Sequence, residues 1–387
     1  MAKKSAQGSG SIRQRKDGLW EARYTIGRDP ATGKQIRKSV YGKTQQEVRK
    51  KMTAANADID KGIYTEPSKI TFSQWLEIWL SEYCGAVKPR TLTLYQNTVK
   101  IRVKPFLGQI QLCRLTPVIF QKYYNDSIKG NLKGLDAISA KTVKNVHGII
   151  HKALQKAVEL GYLKSNPVSA CVLPKAQRKE LHPLNEAQTK AFMKALEREP
   201  FRRLFLVALF TGIREGELLG LTWEAVNFED GTIRIFQQLQ RHNGKYSFFP
   251  PKNNKSRIIA PAPYVMDLLR EERKAQTEKR LLAGKLWDNK MNLIFTFEDG
   301  RNLTHQWIYK KFKDITADIG IFDVRFHDLR HSYAVAALRM GDDVKTVSEN
   351  LGHASVAFTL DVYGHVTDEM KKSSAERMQA YITALNA

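Results

Sequence analysis

The sequence predicts a multidomain protein: a small three-stranded β-sheet with one helix, then an all-α bundle, then a mixed, mainly α domain that carries a small antiparallel sheet. Three observations lead there. Segments 62–69 and 173–183, with their Gly, Pro and Lys residues, interrupt the apolar patterning and read as linkers. Ahead of the first, apolar residues alternate with polar ones as in half-buried strands; between the two they recur at helical spacing; beyond the second both patterns occur. With 387 residues at 42% apolar, there is core material for several units, placed at 1–65, 70–175 and 180–387.

In the first part, Asp17-Gly18 and the run from Asp29 to Gly33 supply turn chemistry between short alternating runs, giving three antiparallel strands. Thr44 followed by Glu47 is a capping box opening a helix with Val48, Met52, Ala55 and Ile59 on one stripe. The strands should turn Ile12, Trp20, Ala22, Tyr24, Ile26, Ile36 and Val40 toward that helix. Arg13, Arg15, Arg23 and Arg37 then share the opposite face with almost no interleaved acid, the pattern of a surface that meets DNA.

The second part reads as about four helices. Thr71 and Gln74 cap one carrying Phe72, Leu76, Trp79, Leu80 and Tyr83. Another runs from Arg90 through Tyr95 and Val99, Pro117 opens a third before Phe120 and Tyr124, and 139–160 is long and amphipathic. Lys88, Arg90, Lys100, Arg102, Lys104, Lys141 and Lys144 cluster at helix starts and outer faces, where they suit DNA contact as a group.

The third part opens a helix at Asn185–Gln188 and continues with an apolar one over 204–210. Alternation over 231–239 and then 257–260 reads as a small sheet, and helices are expected at 262–281, 304–319, 326–340, 343–351 and 368–385.

The net charge of +24 calls for a polyanionic partner. Nucleic acid fits better than a membrane, since no apolar run approaches the roughly 18 residues of a spanning helix. The basic N-terminus leads into no apolar stretch, which predicts a cytoplasmic, nucleoid-associated protein. Cys84, Cys113 and Cys171 are too few and too scattered for a disulfide framework or zinc knuckle, and read as small buried apolar residues.

Several chemistries are set aside. Gly42-Lys43-Thr44 lacks the first glycine of a nucleotide phosphate loop, because Arg37 stands there. His327 and His331 have zinc-protease spacing, but Asp328 replaces the longer glutamate base and Arg330 puts a cation beside the would-be metal. No carboxylate cluster suits a two-metal nuclease, so neither metal nor cofactor is expected.

Cleaving a phosphodiester without metal needs a side-chain nucleophile, cations on the nonbridging oxygens and an acid for the leaving oxygen. Candidates for all three lie in the third part. Arg214 follows a glycine turn at a helix start, His327 and Arg330 share a helix face, Gly352 ends a helix and delivers His353, and Tyr363 comes ten residues later.

In order, spacing and wording, Thr211 to Leu219, His327-x-Leu329-Arg330-His331, Leu351-Gly352-His353 and Thr359 to Tyr363 resemble the tyrosine recombinases, or phage integrases. The first two parts are similar to the arm-type and core-type DNA-binding domains of integrases from phages and conjugative transposons. The resemblance implies Tyr363 as nucleophile, forming a 3′-phosphotyrosyl link, and Arg214 and Arg330 as clamps on the phosphate. It implies Lys252, with Lys255 competing, as acid for the leaving 5′ oxygen, His327 as the acid/base partner of Tyr363, and His353 as a phosphate hydrogen-bond donor. Glu217 is expected as a structural ion-pair partner, and His331 and His365 as supporting or surface residues.

The partners implied are double-stranded attachment sites, further copies in a synaptic tetramer and an excision directionality factor. Met378, Tyr381, Ile382 and Leu385 form an apolar stripe that needs a groove, either on its own catalytic domain or, as the resemblance implies, on a neighbouring protomer. A type IB topoisomerase and a non-catalytic DNA-binding regulator are the rival readings. The complete set of motif residues argues against the regulator, and the arginine-faced sheet argues against the topoisomerase.

Overall fold

The structure is a computed structural model that describes residues 10–29, 32–60, 69–176, 182–242, 244–353 and 355–385, with 364–374 and 377 in backbone alone. The chain divides into two compact units, residues 1–178 and 179–387. The linker expected at 62–69 lies outside the described residues except for Lys69, as do 177–181 of the second.

In the first unit, strands β1 (Ser11–Gln14), β2 (Trp20–Arg28) and β3 (Gln35–Gly42) form an antiparallel sheet in that order. Helix α1 (Gln45–Asp60) packs on it through Val48 and Ala55, against Ala22 and Tyr24. Thr44 caps α1 by accepting the Glu47 amide at 3.2 Å, while the Glu47 carboxylate reaches one residue past the expected partner, to the Lys43 amide. Ile36, expected under the helix, is 40% exposed. A register shift between Thr25 and Gly27 sets Ile36 opposite glycine, which offers no side chain to pack against.

The arginine face departs further from expectation. Arg13 pairs across the strands with Glu21, and Glu21 stands two residues from Arg23, so strand parity puts an acid at the centre of that face. Glu21 is almost fully buried there.

The rest of this unit is the expected bundle: α2 (Phe72–Glu82), α3 (Pro89–Thr98), a short α4 (Lys104–Leu107), α5 (Pro117–Lys129) and α6 (Ala140–Glu159). Thr71 and Gln74 make the full capping box, and Ser139 caps α6. Phe72, Trp75, Leu76, Phe120, Tyr124, Ile150 and Leu154 fill the core, and the Trp75 indole N–H donates to the Ala153 carbonyl, tying α2 to α6. A π-helical turn over Val99–Val103 joins α3 to α4, an irregularity that apolar spacing does not reveal. Of the three cysteines only Cys84 is buried; Cys113 is exposed because it sits in the short Leu112–Arg114 turn, and Cys171 is half-buried.

The second unit begins with α7 (Glu186–Ala195), capped by Asn185, and α8 (Arg202–Thr211), then the five-residue α9 (Glu215–Leu219). Strand β4 (Val226–Asn227), β5 (Thr232–Ile235) and β8 (Arg257–Ile259) form one antiparallel sheet. The alternation expected to run on to residue 239 breaks after Ile235, and β6 (Gln238–His242) pairs with β7 (Lys245–Phe249) as a separate hairpin.

Helices α10 (Pro263–Ala283), α11 (His305–Asp318), α12 (Asp328–Arg339), α13 (Val344–Leu351) and α14 (Val356–Leu385) complete it. Phe192, Phe205, Phe312 and Phe326 meet edge to face or tilted in the core. Helix α12 packs against α8, α13 and α14, and α13 against β8, which draws four distant segments together. The last helix starts twelve residues earlier than expected and bends at Tyr363, whose φ of −117° and ψ of 20° leave helical values.

Candidate active site

Two left-handed glycines set the frame. Helix α8 ends at Gly212 (φ 61°), where a Cβ would lie 2.6 Å from the Tyr333 ring and 2.7 Å from Leu351. Helix α13 ends at Gly352 (φ 63°), where a Cβ would meet the Arg257 guanidinium at 3.0 Å. Only glycine combines that backbone conformation with so close an approach.

Arg214 and Arg330 converge on these turns. Arg330, nearly buried in α12, donates to the Gly212 carbonyl at 2.8 Å and to the Leu351 carbonyl at 2.7 Å. Arg214, half-buried at the start of α9, donates to the Gly352 carbonyl at 2.7 Å and to Glu217 at 2.9 Å. Burial, then the charge of Arg214, push the Arg330 guanidinium down to about 9, which leaves it charged at neutral pH.

Glu217, 1% exposed, is the shared anchor, as expected of it. It also accepts two hydrogen bonds from Arg257, at 3.1 and 2.7 Å, while Arg257 donates to the Asn350 carbonyl. Burial alone would raise the Glu217 carboxyl, but the Arg257 hydrogen bond and the charges of Arg257 and Arg214 hold it below its ordinary value. Three arginines around one carboxylate leave surplus positive charge in a partly dry place, a setting that favours an anion.

His353 is half-buried, with Nδ1 2.8 Å from the Thr359 hydroxyl and its ring against Phe358. Burial and the charges of Arg330 and Arg214 push it down to about 3, so the ring is neutral. Tyr363 is 1% exposed, and burial pushes its phenol up to about 12. Its hydroxyl lies 2.6 Å from Nδ1 of His331, which is buried rather than at the surface. His327 is exposed at the head of α12, its ring edge-on to that of His331 at 5.1 Å. The side chain of His365 lies outside the described residues.

A cleft of about 320 Å³ opens beside this cluster, lined by Arg214, Lys255, Arg257 and His353 among others. Lys255 belongs to the lining and Lys252 does not; Lys252 sits exposed in the turn that precedes it. In the first unit Arg13 and Arg23 bond to Glu21, Arg15 pairs with Asp17 and lies over the Tyr41 ring, and Arg37 donates to Gln35. Lys88, Arg90, Lys100, Lys141 and Lys144 are exposed on the bundle.

Arg257 was not among the expected site residues, though strand parity marks it. It shares a face of β8 with buried Ile259, whereas Ile258 is 67% exposed. The His331 contact joins positions 32 residues apart on different helices, and only the packing of α12 on α14 reveals it.

The pattern that defines the phage integrase family matches residues 182–370, and that of the phage integrase N-terminal SAM-like domain matches residues 71–127. The chain belongs to the phage integrase family, the site-specific tyrosine recombinases. A tyrosine recombinase XerC-like protein of Caldanaerobacter subterraneus subsp. tengcongensis is 30% identical over 374 residues, covering 92% of this chain and 94% of the relative. The fold is similar to that of the Tn1549 transposon integrase in complex with a circular intermediate DNA, with a TM-score of 0.66, 21% identity, and 80% of this chain and 99% of that one covered. It is also similar to a lambda integrase tetramer bound to a Holliday junction, at a TM-score of 0.53, 20% identity, and 89% and 95% covered.

Proposed function

We propose that the chain is the integrase of a mobile element and that Tyr363 is its nucleophile. Arg214 and Arg330 hold the nonbridging oxygens of the scissile phosphate, a planar two-point grip that stays charged as the attack proceeds. The tyrosine oxygen bonds to phosphorus, the bond to the 5′ oxygen breaks, and a 3′-phosphotyrosyl ester remains. A 5′-hydroxyl from another strand then displaces the tyrosine. One ester replaces another, so the scheme needs neither nucleotide triphosphate nor metal.

The convergence of Arg214, Arg330 and His353 around the turn at Leu351 and Gly352 carries this reading. Nδ1 of neutral His353 lies 2.8 Å from the Thr359 hydroxyl, and in the tautomer where that hydroxyl donates, Nε2–H is left to bond the phosphate. Lys252 protonates the leaving 5′ oxygen by resemblance, and Lys255, which lines the cleft, is the alternative. The Arg13, Arg15, Arg23 and Arg37 face binds arm-type DNA, and Lys88, Arg90, Lys100, Lys141 and Lys144 bind the core site.

The protein acts on DNA in the cytoplasm, at the nucleoid, with a directionality factor for excision. Its working form is a tetramer, in line with the lambda integrase assembly. Met378, Tyr381, Ile382 and Leu385 are all exposed, as a stripe that docks on a neighbouring copy should be. Truncation after Val366 is expected to keep DNA binding and lose strand exchange, read by crosslinking together with a two-site recombination assay.

A nicked attachment-site duplex tests the nucleophile. Tyr363→Phe keeps the ring and its packing but loses the attacking oxygen, so site binding persists and the covalent complex vanishes from a denaturing gel. A retained adduct would refute the assignment.

A further inference from the structure

Tyr363 stands at the bend of α14 with its ring among Ala334, Val335, Leu338, Val347 and Leu351. Burial in this apolar setting disfavours the tyrosinate, so the oxygen that is to attack phosphorus must lose its proton to a group at hand. The group within hydrogen-bond distance is Nδ1 of His331, at 2.6 Å. His327 sits one helical turn earlier, exposed, and makes no hydrogen bond to Tyr363 among the described residues.

We propose that His331, and not His327, takes the proton of Tyr363 during cleavage and returns it during rejoining. This rests on the reading of Tyr363 as nucleophile. As the Oη–P bond forms and the bond from phosphorus to the 5′ oxygen breaks, the hydroxyl proton passes to Nδ1 and His331 becomes an imidazolium. The leaving oxygen takes its own proton from the lysine. On rejoining, the incoming 5′-hydroxyl gives up its proton to that lysine, the P–Oη bond breaks, and the Nδ1 proton goes back to Oη. No proton is gained or lost over the cycle.

The surroundings fit a base that is neutral at rest. Burial pushes His331 down to about 4, so the ring is neutral at rest, and the proposed transfer uses the tautomer with Nε2 protonated and Nδ1 bare, facing the phenol at 2.6 Å. The groups facing it are Asp328 and Arg330 on its own helix, Arg325 and His327 just before it, His353 beyond α13 and Tyr363 on α14. Asp328 is buried and ion-paired to Arg325 at 2.8 Å, and it is the nearby carboxylate that stabilises the imidazolium once formed.

The test is single-turnover formation of the covalent complex by the full chain, on a nicked duplex carrying the junction of the excised circular element. His331→Asn is the informative variant, because its amide oxygen can accept the same hydrogen bond without taking the proton. At neutral pH it should react about 10²- to 10³-fold more slowly than the parent. That deficit should narrow roughly tenfold per pH unit toward the phenol's own range, as tyrosinate forms unaided. His327→Asn should show no such pH-dependent recovery.

The proposal is overturned if His331→Asn reacts as fast as the parent or faster, if its deficit is the same at every pH, or if His327→Asn carries the pH signature. Should His331→Asn fail to fold, ¹⁵N-histidine NMR of the parent decides: a bare, hydrogen-bonded Nδ1 supports the proposal, and a protonated Nδ1 refutes it. Tyr363→Phe run in parallel separates the two ideas. An adduct in that variant sinks the nucleophile, whereas its loss beside an undiminished His331→Asn sinks the present inference alone.

Discussion

The molecule uses one arrangement twice, a carboxylate bound to two arginines, in surroundings that differ. In the second unit Glu217 holds Arg214 and Arg257, whose side chains are 22% and 10% exposed and are further tied to the carbonyls of Gly352 and Asn350. In the first unit Glu21 holds Arg13 and Arg23, 59% and 48% exposed, on an open sheet. The Arg13 hydrogen bond, followed by that of Ser39, holds the Glu21 carboxyl down to about 2. The buried cluster cannot rearrange without leaving charges unpaired, which suits a site that must meet one phosphate in one geometry. The open one keeps its two arginines at the surface, where phosphates along a duplex can reach them, which suits docking.

Breaking each cluster at its acid should separate the two most sharply. Glu217→Gln should destabilise the second unit by about 2–4 kcal/mol, since it removes the buried carboxylate that two partly buried guanidinium groups share. Because the folded carboxyl titrates below its ordinary 4.5, its contribution is present above that value and lost as pH falls through the folded one. Urea unfolding of parent and variant at several acid pH values checks this, and the parent alone should show the added slope.

Arg214→Lys keeps the charge and loses the fork, so cleavage should fall about 10²- to 10³-fold with site binding near normal. Single-turnover cleavage beside a gel shift reads both. Lys252→Ala should slow cleavage of ordinary DNA about 10²-fold and recover on a 5′-bridging phosphorothiolate, whose thiolate leaves without a proton; Lys255→Ala should do neither. The reverse result moves the acid to the lysine in the cleft.

Glu21→Gln should act in the opposite sense to Glu217→Gln. With two arginines released, arm DNA should bind more tightly, with a salt dependence steeper by about one to two units. Replacing Arg13, Arg15, Arg23 and Arg37 together should flatten that dependence, and equal footprints of parent and variant would place arm binding elsewhere. The smallest effect is reserved for chelation: EDTA should leave cleavage unchanged, and metal-restored loss of activity would contradict the scheme.

What could be read in advance divides along physical lines. Local chemistry was plain: Thr71 and Asn185 cap helices where they should, Gly352 ends one, and Gly212 makes the turn before Arg214. Strand parity also places Glu21 among the arginines, but a count of basic residues hides one acid that neutralises two of them. The hairpin of β6 and β7, the π-helical turn before Lys104 and the helical start of α14 leave weak periodic signals. The pairing of Tyr363 with His331 depends on how two helices lie against each other, which no spacing in the chain encodes. Motif order pointed to His327, whose ring stands edge-on to that of His331 at 5.1 Å.

The most direct measurement is to trap the covalent complex on a nicked attachment-site duplex, digest the protein and locate the nucleotide by mass spectrometry. A 3′-phosphate ester on the peptide carrying Tyr363, absent in Tyr363→Phe, is the predicted result. An adduct on any other side chain, or cleavage without an adduct, would contradict the account of this site as a tyrosine recombinase centre.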